Sequence, residues 1–250
     1  TEKGKCFWLR VFEIPEGSKT SKGRAVQNLI NIEPDDKIKA YIRTNDLKDV
    51  DYVNRTNVVM ITKNGTIKKT SLEAYSRPRT NGVNAIEIRD NDQLLGARLT
   101  SGDSEIMIAT KNGKCIRFPE EKARAVGRGS IGVRGISLED DDEVIGMIVV
   151  NDVQNETVLV VSENGYGKRT AVEDYRVTNR GGKGVITLNI TEKTGNLIAI
   201  QNVTDEDGLM IINKSGIVIR IAVSELRVMG RATQGVRLIS LKANDEIASV

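Results

Sequence analysis

Apolar, β-branched residues along this chain come in short runs, each cut off by a polar turn that carries a glycine. The segments "VVMITKNGTIKKT", "EIMIATKNGKCIRF", "TVLVVSENGYGKRT" and "LMIINKSGIVIRI" place such a run before the turn and a more polar one after it. This pattern predicts β-hairpins, with Asn-Gly in a type I′ turn because both residues tolerate positive φ. The turn glycines are Gly4, Gly65, Gly113, Gly165 and Gly216. A second set, Gly23, Gly82, Gly132, Gly184 and Gly235, follows at offsets of 19, 17, 19, 19 and 19 residues. Beyond it lie a further short apolar run and an acidic turn, as in "NLINIEPDDKI", "AIEIRDNDQLL", "GISLEDDDEVI" and "LISLKANDEIA"; "VITLNITEKTGNLI" is the weakest copy. The chain is thus an internal repeat with a period of about 50 residues, its units spanning approximately 1–44, 45–97, 98–147, 148–199 and 200–250. Each unit offers about four short strands and no helix. All-β units in series predict a propeller-like ring of blades forming one domain over residues 1–250. The first unit starts three residues before its turn glycine, so a strand is expected upstream of Thr1.

Composition narrows the function. With 39% hydrophobic and 28% charged residues the chain reads as an ordinary soluble protein. No run approaches the roughly 18 apolar residues that a membrane helix needs. Histidine is absent, which removes the commonest general base and metal ligand. Cys6 and Cys115 sit in the same phrase, "GKC", without zinc-ligand spacing, and read as small buried hydrophobes in a reducing compartment. No nucleophile elbow, metal cluster or phosphate-binding P-loop is present, so catalysis within this chain is not expected. The run "EDDDE", residues 139 to 143, has counterparts of varying charge and reads as a solvated turn rather than a cation site.

Net charge is only +3, yet it is sorted. The stretches 1–24, 63–79, 111–134, 163–183 and 214–237 together carry +18, and the remainder −15. Four residues after the first glycine stand Lys69, Arg117, Arg169 and Arg220, with Trp8 in the first unit. Four residues before the second stand Lys19, Arg128, Arg180 and Arg231; the second unit has Pro78 between Arg77 and Arg79. Lys22, Arg24, Lys68, Arg134, Lys168, Lys183 and Arg237 fall in the same slots. Equivalent positions in a ring of blades lie at equivalent radius and height, so these residues predict a positive belt suited to the backbone of duplex DNA. Few aromatics and no reading helix argue against single-strand stacking and base readout. If each unit neutralised two or three phosphates, the log–log salt slope would be on the order of −9 to −13. A protein-binding propeller scaffold remains the alternative, its mark being salt-insensitive binding to a partner protein.

The phrases "NGTIKKTSLEAY", "NGKCIRFPEEKARAVGRGSIGVRGISL", "NGYGKRTAVEDYR", "VSELRVMGRATQGVRLISL" and "VFEIPEGSKTSKGRAVQNLINI" resemble the C-terminal domain of the DNA gyrase A protein. The similarity runs through every repeat; the related domain of topoisomerase IV is a second match. The resemblance implies a β-pinwheel, a ring or spiral of four-stranded blades that exchange strands, family members having six. It implies wrapping of duplex DNA around a basic rim, in support of ATP-dependent negative supercoiling by the whole enzyme. The implied partners are the remainder of the gyrase A protein and the enzyme's ATPase component, in the bacterial cytoplasm at the nucleoid, with no membrane and no cofactor. The enzyme's nucleophilic tyrosine belongs elsewhere: none of Tyr41, Tyr52, Tyr75, Tyr166 or Tyr175 matches its surroundings. The family's box, Gln-Arg-Arg-Gly-Gly-Lys-Gly, is matched by Thr178-Asn179-Arg180-Gly181-Gly182-Lys183-Gly184 at its last five positions. The family box lies in the first blade, so the true box is expected upstream of Thr1, and this copy is its counterpart in a later blade. Arg180 and Lys183 would supply charge there, while Gly181, Gly182 and Gly184 let backbone N–H groups approach a phosphate.

Overall fold

In the computed structural model, which describes residues 1–18, 20–242 and 245–250, the β-branched runs form antiparallel hairpins where the pattern places them. Asn57–Thr62 pairs with Thr66–Ser71, Glu105–Thr110 with Lys114–Pro119, Thr157–Ser162 with Tyr166–Ala171, and Gly208–Asn213 with Val218–Ala222. A third strand from the same repeat lies against the first: Leu94–Thr100, Val144–Val150, Leu197–Val203 or Ile247–Ser249.

The fourth strand comes from the next repeat. Val133–Arg134 pairs with Thr66–Ile67, Val185–Ile186 with Lys114–Cys115, and Val236–Arg237 with Tyr166–Gly167. Val83–Asn84 does the same for the first blade, pairing with Lys5–Cys6. The second, third and fourth blades are therefore four-stranded sheets, and the fifth holds three strands. Each donated strand is the short apolar run just after a second-anchor glycine, so the repeat glycines mark where the chain passes from one blade to its neighbour.

Blades pack face to face, which is why the inner strands are apolar on both faces rather than alternating. The apolar clusters lie between consecutive blades. One joins Met107, Ile148 and Cys115 of the third blade to Val158, Val160 and Leu188; another joins Leu159 and Val161 of the fourth to Leu209, Ile211 and Val223. The second and third blades share Val59, Ile61, Ile108 and Phe118. Among the described residues the core is divided into separate clusters, so stability is a series of neighbour interfaces.

Two features differ from expectation. The Asn-Gly turns are not type I′: Gly65, Gly113 and Gly165 have φ of +85°, +77° and +80°, whereas the preceding asparagines are not among the positive-φ residues. The turn sits one residue earlier than the Asn-Gly pair: Gly65, Gly113 and Gly165 N–H donate to the carbonyls of Thr62, Thr110 and Ser162 (3.1, 3.0 and 3.0 Å), so only the glycine that closes the turn is left-handed, and the acidic turns brace it. Asp92 Oδ1 accepts the backbone N–H of Asn64 (2.9 Å) and Asp142 Oδ1 that of Asn112 (3.0 Å), holding the asparagine backbone. Asp36 and Asp245 clamp the first and fifth hairpin turns in the same way, through Lys3 and Ser215. In the weak fourth copy the carbonyl of Thr194 takes this part, accepting from Asn164 N–H (3.1 Å). The second difference is a six-residue helix, Val50–Arg55, capped by Asp49, whose side chain accepts from Tyr52 N–H (3.0 Å). Six residues are too few for a periodicity to show.

Candidate nucleic-acid interface

Between its hairpin and its donated strand, each of the second to fifth repeats crosses to the preceding blade. The crossover opens with a 3₁₀ turn: Leu72–Tyr75, Glu120–Lys122, Val172–Asp174 or Val223–Glu225. The chain then runs beside the neighbour's second hairpin strand, where Val126, Thr178 and Met229 donate backbone N–H to the carbonyls of Lys69, Arg117 and Arg169 (2.9 Å each). A glycine-containing loop follows, and then the donated strand.

The predicted basic residues separate sharply in this frame. Lys69, Arg117 and Arg169, four residues after the first glycine, are buried. Lys69 Nζ donates to the Glu120 carbonyl (3.0 Å); Arg117 donates to the carbonyls of Val172 and Tyr175 (2.8 and 2.9 Å); Arg169 donates to the Leu226 carbonyl. These carbonyls belong to the next repeat's 3₁₀ turn or to the residue just after it; those of Glu120 and Val172 also close the turn, accepting from Ala123 and Tyr175 N–H (3.0 and 3.1 Å). Each cation also meets a carboxylate: Glu120 (3.3 Å) for Lys69, Glu105 (2.5 Å) for Arg117 and Asp205 for Arg169. These three residues bolt blades together, and their role as DNA contacts is corrected on that ground. Trp8 fills the same slot in the first blade, its indole Nε1 donating to the Tyr75 carbonyl (3.0 Å). In the fifth blade, among the described residues, no crossover covers the slot, and Arg220 is exposed.

Lys68 and Lys168 are each 1% exposed and are likewise not surface contacts. Burial, with Arg128 beside it, pushes the Lys68 ammonium down to about 8. Lys168 is pushed to about 8 by burial and Arg231, against the opposing pull of Asp174.

The remaining sites lie on the surface. Lys22, Arg24, Arg77, Arg79, Arg134, Lys183 and Arg237 are exposed, and Arg128, Arg180 and Arg231 are half-buried. Lys19 lies outside the described residues. Three exposed arginines, Arg124, Arg176 and Arg227, were missed, although each stands eleven residues after a first-anchor glycine, a spacing legible in the sequence.

Successive crossover loops touch. Arg180 Nε donates to the Lys122 carbonyl (2.8 Å) and its Nη1 to that of Arg134 (3.0 Å); Arg231 Nη1 donates to that of Ile186 (3.0 Å). Gly181 N–H donates to Gly135 O (2.7 Å), and Ser137 donates to Gly181 O through its hydroxyl (2.7 Å) and to Gly182 O through its N–H (2.9 Å). The loops of the third, fourth and fifth repeats therefore abut in series, which makes their basic residues one continuous edge. Within the Gly-Gly-Lys-Gly loop, the Gly181 N–H is committed to protein, while among the described residues those of Gly182 and Lys183 have no protein acceptor. Lys183 is 73% exposed. Gly184 has φ of +75°, and a Cβ there would lie 2.6 Å from the Cys115 carbonyl, so this glycine serves the docking of the donated strand.

Comparison with known proteins agrees with this architecture. The family model described as "DNA gyrase C-terminal domain, beta-propeller" matches residues 1–45, 56–101, 104–151, 156–204 and 209–250. The DNA gyrase A protein of Staphylococcus aureus, in strains NCTC 8325 and COL, is 45% identical over all 250 residues, which correspond to 28% of that protein. The chain thus spans under a third of these curated relatives. The C-terminal domain of a DNA topoisomerase IV superposes with a TM-score of 0.87 at 24% identity, covering 99% of this chain and 76% of the other. The C-terminal domain of a DNA gyrase A superposes with 0.84, also at 24% identity, covering 99% and 78%.

Proposed function

Since the chain belongs to the DNA gyrase C-terminal domain family, we propose that it binds duplex DNA along its edge of crossover loops and bends the duplex around that edge, as the wrapping domain of a type II topoisomerase. The observation that carries this reading is the serial contact of the loops, each bringing basic side chains and joined to its neighbour through Arg180 or Arg231. Charge of one sign on a continuous path neutralises phosphates without reading bases, so affinity comes from released counterions and sequence preference is weak. Arginines held at their Nε or Nη1 by a neighbouring carbonyl keep their remaining N–H donors for phosphate oxygens, at little entropic cost because the side chain is already fixed.

Bolting of five basic residues inside the protein lowers the number of contacts. Eleven of the predicted cations remain exposed or half-buried among the described residues, and Arg124, Arg176 and Arg227 bring these to fourteen, so together they give a salt slope no steeper than about −13. In the whole enzyme, bending would present one DNA segment to another during ATP-driven strand passage, with the ATPase component and the rest of the gyrase A protein as partners.

The test is end-to-end FRET on a short duplex labelled at both ends, titrated with this chain at two salt concentrations. A salt-sensitive rise in FRET is expected. Binding without that rise refutes bending, and absence of binding at low salt refutes the DNA reading altogether.

A further inference from the structure

Three residues after the turn glycine, the repeats alternate in a way that stability alone does not favour. The second and fourth blades have Lys68 and Lys168; the third and fifth have Ile116 and Ile219, and the first has Phe7. An aliphatic side chain suits this position, because it lies beneath the incoming crossover at the blade interface: Ile116 is 2% exposed and packs with Ile108 and Phe118. The two lysines bury an ammonium there without a carboxylate at hydrogen-bond distance, an arrangement that costs folding energy.

What the ammoniums touch is specific. Lys68 Nζ donates to the carbonyls of Ala85 (2.5 Å) and Arg128. Lys168 Nζ donates to the carbonyls of Gly230 (2.7 Å) and Arg231 and to Thr233 Oγ1 (3.1 Å). Both therefore bond the backbone of the residue four before a second-anchor glycine, and in both blades that residue is one of the half-buried arginines of the candidate interface. The third blade has no such lysine, and there the corresponding loop is fastened by other means, Gly181 N–H to Gly135 O and the Ser137 hydroxyl to Gly181 O.

We propose that Lys68 and Lys168 are positioning residues for the DNA backbone: each ammonium, set beneath a crossover loop, fixes the main chain from which Arg128 or Arg231 reaches a phosphate. The inference rests on the DNA-binding reading above. It also makes the two loops sensitive to pH. Burial, chiefly, places both ammoniums near a pKa of about 8, so they lose a proton within the range where duplex DNA is intact. The charged groups facing Lys68 are Arg128, together with Arg124 and Glu87 across the groove that Lys68 lines; those facing Lys168 are Arg231 and Asp174. A neutral amine has two N–H donors: Lys168, facing three acceptors, then releases at least one hold on the loop, whereas Lys68, facing two, keeps their number and loses the charge that strengthens them.

Two measurements on the whole chain separate this inference from the reading it rests on. The first is ¹³C NMR of the Arg128 and Arg231 carbonyls in the free protein from pH 6.5 to 10. Both are expected to titrate with a midpoint of about 8 and to stop doing so in Lys68→Met and Lys168→Met. Carbonyls that do not titrate overturn the positioning itself, whether or not DNA binds. The second is duplex affinity across the same range. The double variant is expected to bind about tenfold more weakly at pH 7 with an unchanged or raised Tm, and to show no step near pH 8. The wild type is expected to lose the same tenfold through that step, and Lys183→Met to keep it. A double variant that binds like the wild type at pH 7, or that falls in parallel with it, overturns the role in DNA contact. A wild type that binds no DNA at low salt overturns the functional reading, leaving the carbonyl titration to decide the loop positioning. If the double variant does not fold, either single variant carries the same comparison at half the effect.

Discussion

Gly184 and Gly23 occupy the same place in their repeats, with φ of +75° and +72°, yet their surroundings are opposite. A Cβ on Gly184 would meet the Cys115 carbonyl at 2.6 Å, whereas a Cβ on Gly23 would meet nothing within 4 Å. Alanine at either position pays for the left-handed backbone, about 1–2 kcal/mol. At Gly184 it must also push a backbone carbonyl back by several tenths of an ångström. That carbonyl belongs to the ladder holding Val185–Ile186, which is continued by the bond from Thr187 N–H to Gly113 O (2.8 Å). Losing two such bonds costs about 2 kcal/mol net. Loosening Leu188, which is 1% exposed, adds about 1 kcal/mol. Gly184→Ala should therefore destabilise by about 4 kcal/mol and Gly23→Ala by about 1–2 kcal/mol. Urea unfolding of the two variants, with amide exchange at Thr187 and Leu188 read alongside, measures the difference. Equal losses for the two would refute the claim that Gly184 is required by strand docking, and restore it as a DNA contact.

Charge reversal at exposed Arg134 or Lys183 should leave Tm within about 1 °C, weaken binding alike for unrelated duplexes, and make the salt slope shallower by about 1–2. Sequence-selective losses would contradict backbone recognition. Glu120→Ala should cost about 3–5 kcal/mol in urea unfolding, because it strands the buried Lys69 ammonium and removes the acceptor of the Thr100 hydroxyl (3.0 Å). A loss below about 1 kcal/mol would show that the pair is not a bolt. For Lys168→Met the informative quantity is the stability of wild type minus variant as a function of pH. The folded ammonium titrates at about 8 and the unfolded one near 10.5, so between those values the unfolded chain holds the extra proton and wild-type stability rises with pH. The difference should climb by at most about 3 kcal/mol from pH 8 to pH 10.5 and be flat below; a falling curve refutes the sign.

The repeat, the hairpins and the sorting of charge were legible because they follow from period and turn chemistry, and the exchange of strands was implied by the resemblance. Burial of the basic residues was not, since a lysine four residues past a turn looks the same in sequence whether it faces solvent or the next blade. A clue was present in the exceptions. Trp8 stands in the slot of Lys69, Arg117 and Arg169, and the property that an indole shares with those side chains is an N–H donor on an apolar body. In the slot of Lys68 and Lys168 the substitutes are Phe7, Ile116 and Ile219, all residues of the interior. Slots in which a cation alternates with an apolar residue mark the bolts, and slots in which it alternates with other polar residues mark the surface. Lys183 belongs to the second kind, its slot holding Asn81 and Gln234 beside Ile131, whereas the slot of Arg134 and Arg237, which holds Ala25, Asn84 and Ile186, is not sorted by this rule. The clamping aspartates escaped for a different reason: an acidic turn reads as solvated unless the hairpin turn it grips is known to lie beside it.

Donation of a strand by each of the second to fifth repeats to the blade before it means that covalent order and mechanical order differ. A single cut between Gln154 and Asn155, in an exposed turn, falls between Val144–Val150 of the third blade and Thr157–Ser162 of the fourth. The pieces would still share the sheet formed by Val185–Ile186 on Lys114–Cys115, the Arg117 bonds to Val172 and Tyr175, and the cluster of Met107, Ile148, Val158 and Leu188. They should co-purify as one particle under native conditions and separate only in denaturant. Proteolytic nicking of such a chain would not sever it, and a DNA segment pulling on one blade would load its neighbour through hydrogen bonds laid side by side, in shear, rather than through the peptide backbone alone.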